Sequence, residues 1–251
     1  MKRSEKNRIL PWLAPVLGGL GMAAMWSVFT FGSDENNLIL PFHISAITVW
    51  LLTAAMVAGL LFLLWDLQDT AGYRRLFPDS RLAALGILAA GVSILATVIE
   101  SLTAMNEPIR ILSGLLKIAA GVALLYLAWC RWKNVRGSFL AWAAATAYML
   151  LRIMFEYRSW STQPELLRYL FPLLASVSMA LAMYHRTAFA FKMGSRKQFL
   201  FFSQFGAFCC LLSLPAAPAP FYLGMALWAM TDRCSLKALK PRKTDTPEDT
   251  P

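Results

Sequence analysis

Six charged residues interrupt stretches that are otherwise apolar: Glu100, Arg110, Lys117, Arg152, Glu156 and Arg168. Within RIMFEYRSW, residues 152–160, Arg152 and Glu156 stand one helical turn apart, where a guanidinium and a carboxylate share a face and can pair. The same spacing aligns Ser93 and Thr97 with Glu100, Ser113 with Arg110 and Lys117, Tyr148 with Arg152, and Pro172 and Ser176 with Arg168. Four cations then face two carboxylates. Such an excess suits an anion, which a guanidinium fork grips in two places and an ammonium attracts as a point charge. Glu100, Arg110, Ser113, Lys117, Tyr148, Arg152, Glu156 and Arg168 are accordingly the expected ligand-binding residues.

The elements that carry them are apolar helices. Of 251 residues, 58% are hydrophobic and 15% charged, the composition of a polytopic membrane protein. A helix needs about 20 apolar residues to cross the hydrocarbon layer. Stretches near that length fall at 11–32, 43–65, 82–104, 108–130, 138–158, 164–186, 198–214 and 217–231, the last two short enough to be a tilted pair or a re-entrant hairpin. The expected fold is an all-α bundle of about eight transmembrane helices. Residues 1–236 form its single membrane domain, and 237–251, rich in Pro, Thr and charge, form a disordered cytoplasmic tail. On these spans Lys117 lies about 13 Å and Arg152 about 9 Å below the outer boundary. Unpaired charges there cost about 2.5–3.5 kcal/mol and normally face a bundle interior. Arg110 and Arg168, near helix starts, have the alternative of reaching to the headgroups.

A formal charge of +10 would suggest nucleic acid in a soluble protein, but its distribution excludes that partner here. With the N-terminus inside, 19 of the 24 Lys and Arg residues fall in inside segments, from Lys2 to Lys243, as the positive-inside rule requires. Both termini are therefore expected in the cytoplasm of a cell bounded by a plasma or bacterial inner membrane. The first apolar stretch has no small-residue cleavage site behind it and is expected to stay as a span. Cys130, Cys209, Cys210 and Cys234 are expected as thiols.

Catalytic signatures are absent. The sequence holds no H-E-x-x-H, no G-x-S-x-G, no Walker-type loop and no Cys/His cluster with metal spacing, so no catalytic residue, metal or cofactor is expected. His43 and His185 fall at opposite faces, too far apart to share a haem. Gly19 with Ala23, Gly86 with Ala90 and Ala143 with Ala147 are small-residue pairs of the kind that let helices approach. Gln204 and Ser203 suit either a polar pathway or an interhelical hydrogen bond. The short outer loops leave recognition to the bundle itself, and the inner halves of spans three to six read as almost wholly apolar. The expectation is a membrane protein that binds a small anionic molecule or lipid headgroup in an outer-half pocket, with transport a lesser variant. The competing expectation is a non-catalytic scaffold whose charges only lock helix packing.

Overall fold

The computed structural model describes residues 3–32, 43–65, 80–102, 108–135, 137–160, 166–191, 193–216 and 218–234. The expected tail lies outside them. Among the described residues there are eight α-helices and no strand: α1 Arg3–Phe31, α2 Ile44–Leu64, α3 Arg81–Leu102, α4 Pro108–Trp132, α5 Phe139–Trp160, α6 Leu166–Ala188, α7 Arg196–Ser213 and α8 Ala219–Cys234. Their ends follow from local chemistry. Pro108 opens α4, where its missing N–H costs nothing. His43 and Ser195 cap α2 and α7 by accepting from the backbone N–H of Ser45 and Gln198. Asn134, at φ 57°, turns the chain out of α4 as Val135 N–H returns to the Cys130 carbonyl.

Five helices are long and apolar enough to cross a membrane, over Leu10–Phe31, Ile44–Leu64, Arg81–Ile99, Ile111–Trp132 and Phe139–Arg158. Their outward surface is inverted relative to a water-soluble protein: Trp12, Leu20, Leu51, Leu85, Leu115 and Leu150 all face outward. Such a continuous apolar exterior is the surface of a membrane-embedded, multi-pass protein.

Helix packing defines a ring. α3 packs on α4, α4 on α5, α5 on α6, α6 on α7, α7 on α8, and α8 back on α3, while α1 and α2 lie outside it against α7. Neighbours in the ring run antiparallel, as shown by Thr97 opposite Lys117, Thr146 opposite Thr187, and Ser93 opposite Gly224. The end at which α1, α3, α5 and α7 finish is called the upper end below.

Two of the closest approaches rest on glycine. A Cβ at Gly91 would lie 3.2 Å from the Gly121 carbonyl, and one at Gly224 would lie 2.9 Å from the Ala89 carbonyl. The small-residue reading needs one correction. Gly86 does face α8 at Thr231, but Gly19 faces open space, and α1 instead meets α7 through Gly18 and Gly21. Both glycine faces look alike in sequence; the partner helix chooses one.

Candidate functional site

Arg152 and Glu156 form an ion pair on α5, with both side chains largely removed from solvent at 8% and 18% exposure. Helical periodicity dictates that contact. The pair is held from the other helices of the ring. On α6, the Ser176 hydroxyl donates to Glu156 Oε2 at 3.1 Å. On α8, the Phe221 ring lies 3.3 Å beneath the guanidinium carbon and the Tyr222 ring 5.5 Å from it, a cation–π seat for the charge. On α4, Lys117 donates through Nζ to the Thr97 carbonyl of α3 at 3.2 Å. Tyr148 lies within electrostatic reach of Arg152, and Cys210 of α7 within reach of both Arg152 and Tyr222. Helices α5, α6, α7 and α8 thus contribute to one interior cluster, with Thr97 of α3 beside Tyr148 and Lys117 of α4 bonded to the Thr97 carbonyl.

Its hydrogen-bonding inventory is unbalanced. The Nε–H of Arg152 is buried and has no hydrogen-bond partner among the described residues, while the buried hydroxyls of Tyr148 and Tyr222 stand beside Thr97 and Arg152 and beside Ser176 without closing a well-formed hydrogen bond. Buried polar atoms are nearly always satisfied. An arginine N–H only donates, so the partner it would take is an acceptor.

The sequence-derived set is brought together in part. Tyr148, Arg152 and Glu156 lie together as described, Lys117 bonds to the Thr97 carbonyl of α3, and Ser113 lies one turn from Lys117 on α4, half-buried. Glu100, Arg110 and Arg168 belong to α3, α4 and α6, and their side chains fall outside the described residues. Sequence reasoning missed Phe221, Tyr222 and Cys210, because it confined the pocket to α3–α6. The signal available was the aromatic pair immediately after the proline-rich segment PAAPAP.

A second charged layer corrects the expectation of an apolar lower half. Arg186 of α6 and Asp232 of α8 pair at 3.2 Å with 1% and 0% exposure. The Arg186 guanidinium also lies 5.0 Å from the Trp142 ring, which in turn packs 6.2 Å from Trp228. Arg131, Arg196 and Arg233, which the charge count assigns to inside segments, are likewise buried. Gln204 is fully buried, yet neither amide atom finds a partner among the described residues, and Ser203 donates within its own helix to Leu200. Cys130, Cys209 and Cys210 are free thiols. No group of His, Cys, Asp and Glu among the described residues has metal-holding geometry.

Comparison with protein-family models, with curated proteins and with solved structures gives no match. The site's own geometry carries the functional reading.

Proposed function

We propose that this is an eight-span protein of a plasma or bacterial inner membrane, with both termini cytoplasmic, that binds a small anionic group at the Arg152 cluster. The distribution of Lys and Arg along the chain supports the orientation, which places the upper end of the bundle outside. Single cysteines at Asn36, Asn106 and Ser161 should then react with an impermeant thiol reagent outside whole cells, whereas those at Gly137 and Ser195 should not. Labelling of either of the latter from outside overturns the eight-span arrangement.

One observation supports the binding reading: the Arg152 Nε–H is buried with no acceptor among the described residues, and two tyrosine hydroxyls stand beside the same guanidinium. A phosphate or carboxylate presents several acceptor oxygens in a small volume, and hydrogen bonds to a charged acceptor are stronger than neutral ones. A free anion and a lipid headgroup share this chemistry.

Melting of the purified protein separates the sources, with inorganic phosphate, succinate and phosphatidylglycerol each added in turn. A ligand at 100 times its Kd stabilises by about 2.7 kcal/mol, or about 5–10 °C for a chain of this size. Tyr148→Phe and Tyr222→Phe should reduce that shift at a cost of about 1 kcal/mol or less to the unliganded protein, because neither hydroxyl closes a well-formed hydrogen bond there. The competing reading, a scaffold, draws support from the Ser176–Glu156 hydrogen bond and the Arg186–Asp232 pair, which tie helices together without any ligand. It forecasts no stabilisation by any of the three probes, and that result would end the binding reading.

A further inference from the structure

A cavity of about 490 Å³ lies between the end of α2 and the start of α7, lined by Leu61, Trp65, Lys197, Gln198, Phe201 and Phe202. That volume is in the range that holds a small organic group. The cavity opens on the outside of the bundle, where Leu61, Trp65 and Gln198 are exposed. It belongs to the lower end: Ser27, near the top of α1, bonds to Ser45 at the start of α2, so α2 descends to Leu64, and α7 rises from Arg196. The Arg152 cluster is elsewhere, since Cys210, its contact on α7, stands about 18 Å above Gln198.

The lining is ordered by polarity along both helices. On α7, Lys197 and Gln198 occupy the first turn, and Phe201 and Phe202 follow one turn deeper on the same face. On α2, Trp65 caps the helix and Leu61 lies one turn deeper. The deep part is largely aromatic, with the Phe201 and Phe202 rings edge to face at 5.4 Å and His185 of α6 stacked on Phe202 at 5.8 Å. At the polar end Lys197 donates through Nζ to the Trp65 carbonyl at 3.2 Å, which fixes the ammonium between the two helices.

Electrostatics at that end favour an anion. The first turn of α7 carries Arg196 and Lys197 and no acidic residue. The amino end of a helix is already positive, so these two charges add to its dipole instead of cancelling it.

We infer that the cavity binds one anionic phospholipid of the leaflet at the lower end, with the first part of an acyl chain against Leu61, Phe201 and Phe202 and the phosphate beside Lys197. A phospholipid presents the same order of groups, charge at the surface and hydrocarbon beneath, and the exposed Trp65 is of the type that marks the headgroup level. A small soluble anion would leave the aromatic part empty, and a wholly apolar ligand would make no use of the charge. The inference goes beyond the Arg152 reading and does not rest on it. With the proposed orientation, the leaflet is the cytoplasmic one.

Native mass spectrometry of the full-length protein in neutral detergent tests the site, with phosphatidylglycerol and phosphatidylcholine of identical acyl chains added in equal amounts. One phosphatidylglycerol should stay on the protein after other lipids are stripped, favoured over phosphatidylcholine by about fivefold, the scale of one lysine at an anionic surface. Lys197→Gln should bring that preference close to one, and Lys197→Arg should keep it. Lys133→Gln removes the same charge at the lower end of α4, outside the cavity, and should change nothing. Gln198→Glu places a carboxylate three residues after the Ser195 cap, where it suits the helix, so it should lower the preference without harming the fold. Gln198→Trp should fill the cavity and reduce retention of both lipids. Equal retention of the two lipids refutes the anionic site, as does a preference that survives Lys197→Gln, or Gln198→Glu should the former not fold. A dimer that Gln198→Trp abolishes, with no lipid retained, would assign the cavity to a second copy of the chain and overturn the inference. The Arg152 reading is judged apart. Melting stabilisation by phosphatidylglycerol that Lys197→Gln abolishes and Tyr148→Phe leaves intact supports this cavity alone, and the reverse pattern keeps the Arg152 site and removes this one.

Discussion

A double-mutant cycle on Arg152 and Glu156 measures the interaction on which the site depends. Glu156→Gln keeps an oxygen for the Ser176 hydroxyl but strands the guanidinium, which retains its seat on Phe221. Arg152→Met leaves the carboxylate with Ser176 and uncovers Phe221, so it also loses the cation–π contact. Removing one partner of a fully buried pair costs about 3–5 kcal/mol. Here Glu156 keeps 18% of its surface, and measured hydrogen-bond couplings inside a membrane protein average about 0.6 and reach about 1.7 kcal/mol. These considerations place Glu156→Gln near a loss of about 2 kcal/mol, between the two scales. Arg152→Met should lose about 0.5–1 kcal/mol more through the exposed ring. The double mutant should lose about 1–2 kcal/mol less than the sum, because neither charge is then left alone. For a chain of this size each kcal/mol moves the melting temperature by about 2–4 °C, so the singles lie well within a fluorescence melt in neutral detergent. Additivity within about 0.5 kcal/mol would refute the coupling. The pair would then be two charges that merely lie near one another.

Three further outcomes follow from the same packing. Asp232→Ala and Arg186→Ala, at a pair that is fully buried, should each destabilise by about 3–5 kcal/mol in a denaturant-detergent titration, more than either Arg152 or Glu156 substitution; equal or smaller losses would place this pair in contact with solvent. Gly224→Ala should cost about 1–3 kcal/mol in the same titration, since its new methyl meets the Ala89 carbonyl, whereas Gly19→Ala, facing open space, should be neutral or slightly stabilising through helix propensity. Lys197→Ala should loosen the junction of α2 and α7, where Nζ donates to the Trp65 carbonyl at 3.2 Å; faster proteolysis at the end of α2 with an unchanged global melt is the expected result, and unchanged proteolysis would mean that the contact holds nothing.

The sequence by itself determined the helices and the local pair. Apolar length is a property of consecutive residues, so all eight elements were legible from the hydrophobic runs. The Arg152–Glu156 contact was legible for the same reason: a helical turn fixes which side chains meet, whatever the rest of the chain does. What lies opposite a helix face is a different matter, because it depends on which remote segment packs there. Only the tertiary structure closed α3–α8 into a ring, laid Phe221 under Arg152 and buried the Tyr222 hydroxyl beside Arg152 and Ser176. Arg186 shows the limit most sharply. In sequence it ends an apolar span and reads as one more basic residue at a membrane surface, since no local pattern links it to an aspartate 46 positions later. The ring brings α6 and α8 into register, and Asp232 then pairs with the buried guanidinium while Trp142 flanks it.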